Sequence, residues 1–311
     1  MTLIKATVKK RGAPLAKILV GFAVASLFAL AIVYAKEARE SALAGMRLSA
    51  VSVIPSIFPF LVLSDIISAT GFPGSGFLGG IMARLFGIPP ACATAVLCGN
   101  VCGFPVGVRI ASESYRRGEI THGELEGVIG IANNPSLAFT VSAVGLGMRG
   151  SFAEGLALYL CVLAATAAVG VIFKSKKEKI EFFHEISRQN FSLASSIKNA
   201  GVACVGIASY IIFFSSAVGV IRAAVGSELI TTLITPFFEV GLATSLLSGG
   251  ALPEGLSFAL CAFALGFSGL SVHMQAAMLL PSGISMRRYY VEKLCEGVLA
   301  GLMAYLFYLF L

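Results

Sequence analysis

The stretch CGNVCGFPVGVR, residues 98–109, puts chemistry-bearing residues inside a long apolar run. Its glycines loosen one helix, and its proline suits the first turn of another. The exposed N–H groups of a new helix attract an anion. Arg109, one turn further on, can bind a substrate carboxylate, but snorkelling or a protein carboxylate explains it equally well. The candidate substrate-binding residues here are Asn100, Gly103, Phe104 and Arg109.

Two adjacent amides form the next candidate, in IANNPSLAF at residues 131–139. Asn133 and Asn134 precede Pro135, which disfavours a continuous helix at this point. Amide side chains inside an apolar segment are expensive unless they have partners, so both are candidate substrate-binding residues. They can also cap the helix break, and the two roles are compatible.

A second broken stretch, LGFSGLSVH, covers residues 265–273. Its two glycines predict another break in a helix, and polar side chains surround the break. His273 can contact substrate or couple protons, although packing with one hydrogen bond also explains a single histidine in a membrane segment. The candidate substrate-binding residues here are Ser268, Ser271, His273 and Gln275.

Three carboxylates lie within apolar segments, at Asp65, Glu239 and Glu296. Charged groups at membrane depth are rare, and they mark ion or substrate pathways. All three are therefore candidates for ion coupling. Asp65 and Glu239 can alternatively pair with Arg109, and the sequence does not choose between these roles.

The composition identifies the environment of these residues. Of the 311 residues, 57% are hydrophobic and only 13% are charged, with a mean hydropathy of +0.89, whereas a soluble domain has about 25% charged residues. Apolar runs of about 20 residues, the length that spans a bilayer, recur along the chain. The sequence therefore predicts an all-α polytopic membrane protein. The runs lie at residues 15–35, 44–70, 90–112, 125–148, 152–173, 197–221, 228–249, 254–280 and 289–311.

Charge and motifs argue against several other functions. The net charge of +7 reflects basic cytoplasmic loops rather than nucleic-acid binding, because Lys and Arg accumulate in such loops. The seven cysteines form no metal pattern, so we expect neither a metal nor a cofactor. Motifs of serine hydrolases, zinc proteases and P-loop enzymes are absent, so we expect a protein that is not an enzyme.

Two halves of the chain resemble each other. PACATAVLCGNVCGF at 90–104 aligns with PEGLSFALCAFALGF at 253–267, and IPSIFPFLVLS at 54–64 aligns with IASYIIFFSSA at 207–217. TPFFEVGLAT at 235–244 then holds residues inserted into the second half. The predicted units are an N-terminal transmembrane helix at 1–40, a first repeat at 41–150, a linking helix and basic loop at 151–196, and a second repeat at 197–311.

Basic loops predict the topology, because they lie in the cytoplasm in most membrane proteins. If residues 90–116 form a re-entrant hairpin from the inside, the N-terminus, RR at 116–117 and KSKKEK at 174–179 are all cytoplasmic. The repeats are then inverted, and a second hairpin at 254–281 enters from outside. This topology leaves RR at 287–288 outside, against the same rule. Ordinary spans with closely packed glycines are the alternative.

Four motifs together resemble one known family. IPSIFPFLVLSDII, GNVCGFPVGVRIASESYRRGEIT, ELEGVIGIANNPSLAF and LGFSGLSVHMQ follow each other in a region of similarity that covers residues 44–310. This ordered set resembles the YlbJ-type sporulation integral membrane proteins, of the nucleoside-recognition or Gate domain superfamily. That superfamily is similar to part of the concentrative nucleoside transporters, which implies an inverted repeat with two re-entrant helical hairpins.

The resemblance implies a role in endospore formation, in moving dipicolinic acid across the outer forespore membrane. Helix N-termini with Arg109, Asn133, Asn134 and His273 suit a small planar dianion. We expect a transporter or facilitator of a small anionic metabolite, in the bacterial cytoplasmic membrane or the outer forespore membrane. The lipid bilayer is a partner, nucleic acid is not, and a homo-oligomer is left open. A nucleoside or nucleobase transporter of the same fold and a non-transporting sporulation scaffold are the alternatives.

Overall fold

The structure, a computed structural model, describes residues 14–70, 77–174 and 192–310, and every regular element within these ranges is helical. Two π-helices, Ser49–Val53 and Phe139–Met148, and two 3-10 turns, Pro90–Cys92 and Thr235–Phe237, lie among the α-helices. The α-helices are α1 (Pro14–Val33), α2 (Ala35–Leu48), α3 (Ile54–Thr70), α4 (Phe77–Phe86), α5 (Ala93–Val101), α6 (Val106–Arg116), α7 (His122–Val128), α8 (Phe152–Ile172), α9 (Leu193–Val225), α10 (Glu228–Ile234), α11 (Val240–Leu247), α12 (Glu254–Phe267), α13 (Gly269–Leu279) and α14 (Arg287–Leu309).

Several of these helices are long and apolar enough to cross a membrane. Within the described ranges they are α8, α9 and the segment Glu254–Leu279, and two sharply bent helix pairs raise the count to at most five. Large side chains such as Phe213 and Leu302 are exposed on the outer surface, as lipid contact requires. The prediction of an all-α polytopic membrane protein is confirmed.

A long antiparallel helix pair forms one side of the molecule. The helical conformation continues from α2 through the π-helix into α3, and this continuous helix packs against α9. Glycines let the two approach closely: a Cβ on Gly45 would lie 2.8 Å from Ser215 Oγ, and one on Gly219 would lie 1.9 Å from Ser41 Oγ. α9 has 33 residues, which is about 50 Å of helix and longer than the bilayer core.

The N-terminal helix α1 meets α2 at a bend of 100°. The N-terminal transmembrane helix at 1–40 stays a prediction. Residues 1–13 and most of KSKKEK lie outside the described residues, so the cytoplasmic N-terminus stays a prediction.

The break within CGNVCGFPVGVR is a helical hairpin, as predicted. α5 ends at Val101 and α6 begins at Val106, and the turn between them contains Gly103 with a φ of 89°, which only glycine adopts readily. The two arms pack closely, because a Cβ on Gly107 would lie 2.7 Å from the carbonyl oxygen of Ala95 on α5.

Residues 254–281, however, do not form the second hairpin. α14 runs antiparallel alongside α12 and α13. Residues further along α12 and α13 contact residues nearer the start of α14. These contacts are Gly255 with Tyr308, Phe267 with Gly297, and His273 with Tyr289. The segment therefore continues across the membrane and is interrupted only at Ser268, whose φ is 73°.

The second hairpin lies earlier, at residues 228–247. α10 and its 3-10 turn form one arm, α11 forms the other, and Phe238 and Glu239 form the tip. The segment FEVGL at 238–242 occupies the place that FPVGV at 104–108 occupies in the first hairpin. The alignment of 90–104 with 253–267 is therefore wrong, because the first segment is re-entrant and the second crosses.

One end of the molecule gathers basic residues, and we call it the basic end. Arg116 Nη2 donates to the carbonyl oxygen of Leu279 at 3.1 Å, and Arg288 donates to the carbonyl of Phe173, just before the basic loop. The predicted position of Arg287 and Arg288 opposite Arg116 is wrong. Their common location agrees with the positive-inside rule, so we expect the basic end in the cytoplasm.

At the opposite end, Arg149 forms ion pairs with Glu154 at the start of α8 and with Glu254 at the start of α12. The second hairpin enters and leaves here, because Ser257 near the start of α12 donates to the carbonyl oxygen of Leu247. The first hairpin enters and leaves at the basic end. The two hairpins are therefore inverted relative to each other.

Two broken spans complete this inversion. Residues 122–148, made of α7, a break at 133–136 and the π-helix, run from the basic end to the opposite end. Residues 254–279 run the other way. α8 and α14 are also antiparallel, since Thr166 contacts Glu296 and Phe173 contacts Arg288. The division into repeats at 41–150 and 197–311 stays a prediction, although this packing favours adding α8 to the first.

Substituting Gly107→Ala should destabilise the first hairpin. Its Cβ would lie 2.0 Å from the carbonyl oxygen of Ala132 and 2.7 Å from that of Ala95, and backbone cannot yield as a flexible side chain can. We expect a loss of about 1–3 kcal/mol or more in the free energy of unfolding, measured by SDS titration in mixed micelles. Gly201→Ala is the matched control, because no atom lies within 4 Å of its added Cβ. Equal stability of the two variants would contradict the hairpin packing.

Cysteine labelling tests the topology. In a cysteine-free background, Arg116→Cys and Ser282→Cys should react with an impermeant maleimide from the same side of the membrane. Ala251→Cys should react from the other side. The three positions are exposed in connections or at a helix end. Labelling of position 282 from the same side as 251 would restore the hairpin at 254–281 and refute the observed crossing.

Candidate functional site

A small cavity lies where the two hairpin tips meet the two broken spans. Its volume is about 40 Å³, room for about three water molecules. Gly103 and Phe104 of the first tip and Glu239 of the second line it, with Ser136 and Gln275 from the broken spans. Apolar side chains of the α2–α3 helix and α9 close the remaining wall.

Each tip is fastened to the break of the neighbouring span. At the first tip, Phe104 N–H donates to the carbonyl oxygen of Asn134 at 2.7 Å. At the second, Ser271 N–H donates to the carbonyl oxygen of Phe238 at 2.9 Å. Gly269 makes the second contact possible, since a Cβ there would lie 3.1 Å from the backbone of Phe238. Each tip is therefore held by a backbone hydrogen bond, which the first tip donates and the second tip accepts.

Four helices begin around the cavity: α6, α11, α13 and the π-helix at 139–148. The start of a helix carries partial positive charge, so their convergence favours a negative group. One such group is already present. Glu239 is buried, and its carboxylate accepts the N–H of Leu242 at 2.5 Å, which caps α11.

Four of the predicted site residues line the cavity, namely Gly103, Phe104, Glu239 and Gln275. Ser271 supports this group, because its Oγ accepts from Gln275 Nε2 at 3.3 Å. Ser268 is buried and donates to the carbonyl oxygen of Leu265, so it stabilises the second break rather than facing the cavity.

The three predicted asparagines are not among the cavity-lining residues and form a network behind the first tip. Asn134 Nδ2 donates to Asn100 Oδ1 at 2.8 Å and to the carbonyl oxygen of Ile131 at 3.1 Å. Asn133 Nδ2 donates to Tyr289 Oη at 2.8 Å. Asn100 Nδ2 also donates to the carbonyl oxygen of Ile131, at 3.1 Å, so two of the amides satisfy a carbonyl group beside the break, which is the capping role considered for the sequence.

His273 does the same at the second break. Its Nε2 lies 2.7 Å from the carbonyl oxygen of Phe267, the last residue of α12, so the nitrogen that donates here is Nε2. The ring packs among those of Phe267, Tyr289 and Tyr290. Contact of His273 with a ligand in the cavity stays a prediction.

Arg109 lies half-buried on α6, and the residues that line the cavity do not include it. Its predicted contact with a substrate carboxylate therefore needs a different conformation. The side chain of Asp65 lies outside the described part of the structure.

Glu296, a predicted ion-coupling residue, belongs to a charged cluster in α14. It is buried, and it pairs with Lys293 at 3.0 Å and accepts from Thr166 Oγ1 at 2.9 Å. The sequence interpretation missed Lys293, and it also missed Ser136, which lines the cavity. The signal for Lys293 was present in EKLCE at 292–296, since acidic residues lie one position before and three after it, within one helical turn.

Comparison with known proteins gives one informative match. The chain is similar to the sporulation integral membrane protein YlbJ of Bacillus subtilis (strain 168), with 22% identity over 327 residues. The match covers 90% of this chain and 80% of YlbJ. The similarity to YlbJ is distant. The resemblance to YlbJ-type proteins and the assignment as an integral membrane protein are thus confirmed. No family model and no solved structure matches the chain.

Substituting Asn134→Ala should destabilise the first break rather than alter ligand contacts alone. The change removes the donor to Asn100, in a part-buried bond, and the acceptor for Lys293 Nζ, in a buried one. We expect a loss of about 1–3 kcal/mol in the free energy of unfolding in mixed micelles. Asn199→Ala, at an exposed position of α9, is the control and should stay within about 0.5 kcal/mol of the parent. A parent-like Asn134→Ala would show that the network does not support the fold.

Proposed function

We propose that the protein is a transporter or facilitator of a small anionic metabolite, that dipicolinate is its substrate, and that it is not an enzyme. One observation carries the proposal: two inverted hairpin tips and two broken spans meet at a cavity inside the membrane region. Secondary transporters place their substrate at this kind of junction, where irregular backbone lines a water-accessible space.

The charge of the substrate follows from the helix starts around the cavity. Their N–H groups favour carboxylates, and a planar dicarboxylate can meet donors from both tips at once. The relative is named as a sporulation integral membrane protein, which supports a role in endospore formation. The proposed location is the bacterial cytoplasmic membrane or the outer forespore membrane.

The small cavity implies a conformational change. About 40 Å³ holds a few water molecules and not an aromatic dicarboxylate. The tips must therefore move apart from the α2–α3 helix and α9 before substrate binds. Gly103 and Gly269, which both have positive φ angles, lie where such a movement requires backbone adjustment.

A second candidate function has its own support. Glu239 and Gln275 line the cavity and the described lining contains no basic residue. A carboxylate and an amide suit the hydroxyl groups of a neutral nucleoside, which donate to a carboxylate. A nucleoside or nucleobase transporter of the same fold is therefore the alternative.

Uptake by the purified full chain in proteoliposomes separates the two functions, with labelled dipicolinate and uridine as probes. Glu239→Gln keeps an acceptor for Leu242 N–H but removes the negative charge. It should lower KM for dipicolinate by about tenfold, which corresponds to 1.4 kcal/mol. For a nucleoside transporter, the same change should raise KM for uridine.

Gln275→Ala should raise KM for the transported compound, because it removes an amide from the cavity wall. Asn199→Ala controls for reconstitution and should leave flux unchanged. Dipicolinate uptake equal to that of empty liposomes would exclude the proposed function and favour a scaffold.

A further inference from the structure

Lys293 places an ammonium group inside α14, away from both ends of the molecule. Its Nζ donates to the carbonyl oxygen of Asn133 at 3.0 Å, to Asn134 Oδ1 at 2.8 Å and to Glu296 Oε2 at 3.0 Å. The side chain is 0% exposed. An ammonium has three N–H donors, and the three oxygens use all of them.

These oxygens surround the point where the first broken span stops being helical. The break at residues 133–136 leaves carbonyl groups without helical donors, and the end of a helix carries partial negative charge. In membrane transporters, unwound carbonyls and half-helix ends of this kind hold the coupling cation. Here the amine of Lys293 occupies that place.

The amine of Lys293 balances the negative charge of the Glu296 carboxylate. Glu292, the other buried carboxylate of α14, pairs with Arg288 at 2.6 Å. Glu296 has Lys293 as its charged partner and Thr166 as a neutral donor. Removing one member of a buried ion pair leaves an uncompensated charge, which is strongly unfavourable.

One residue, Asn134, connects the amine to the wall of the cavity. Asn134 accepts from Lys293 with its side chain and from Phe104 N–H with its carbonyl oxygen. Phe104 belongs to the first tip and lines the cavity. The charge of Lys293 therefore helps to hold the first tip in position.

We propose that Lys293 is a tethered counter-cation that replaces a bound metal cation at the first helix break. The protein then needs neither Na⁺ nor K⁺ to keep its first hairpin tip in place. Without the amine, the backbone carbonyl oxygen of Asn133, the side-chain oxygen of Asn134 and the carboxylate of Glu296 surround a space that accepts a monovalent cation.

Thermal unfolding of the purified full chain in detergent tests this, with NaCl, KCl, methylammonium chloride and choline chloride at equal ionic strength. The Tm of the wild type should be the same in all four salts. Lys293→Ala should have a lower Tm in choline, and Na⁺, K⁺ or methylammonium should raise it. Lys293→Ala combined with Glu296→Gln should lose this cation dependence. Lys198→Ala, at an exposed position, is the control and should behave as the wild type.

A wild-type Tm that rises with Na⁺ or K⁺ relative to choline would overturn the proposal. So would a Tm of Lys293→Ala that responds to none of the cations. If Lys293→Ala does not fold, Lys293→Ser, which also leaves space between the three oxygens, is measured in its place with the same criteria. These measurements do not depend on transport, so absence of dipicolinate uptake would count against the proposed function alone.

Discussion

Backbone groups inside a membrane must find partners within the protein, and this constraint governs the whole fold. Both crossing segments that break, 122–148 and 254–279, free N–H and C=O groups where lipid offers none. At each break the neighbouring hairpin tip supplies one partner, through Phe104 with Asn134 and through Ser271 with Phe238. A re-entrant hairpin and a broken span therefore stabilise each other, since each provides a hydrogen-bond partner for a backbone group that the other exposes. The cavity lies beside these contacts because only there is non-helical backbone permitted.

Close approach is the second requirement, and glycine meets it. The carbonyl oxygen of Ala132 lies against both Gly99 and Gly107, where a Cβ would be 1.9 and 2.0 Å away. The arms of the first hairpin and the first broken span therefore meet backbone to backbone. Van der Waals contact at such small-residue interfaces drives helix association where the hydrophobic effect is absent. The glycines of CGNVCGFPVGVR therefore serve the packing of the arms as well as the turn.

Much of this architecture could be predicted from the sequence, because hydropathy, glycine and proline are local signals. They located the first hairpin and the break at Asn133 and Asn134. The second hairpin was missed because its arms are short and TPFFEVGLAT was taken as an insertion. FEVGL repeats FPVGV, but Glu239 stands where Pro105 marks the first tip. Both residues stand immediately before a helix, Pro105 before α6 and Glu239 before α11, which the Glu239 side chain caps. Alignment by residue identity cannot recognise this equivalence.

The sequence could not predict which polar residues line the cavity and which join the network behind the first tip, and the reason here is different. An amide near a break can face a ligand or satisfy freed backbone, and its type does not tell which. Geometry assigns Gln275 to the cavity, while Asn100, Asn133 and Asn134 join Lys293 behind the tip. The cluster in α14 explains why the amide of Asn134 turns inward, since an ammonium buried between membrane helices needs three oxygens. Once Lys293 occupies the first break, Asn134 cannot also present its side-chain oxygen to the cavity, so the tip contributes backbone there instead.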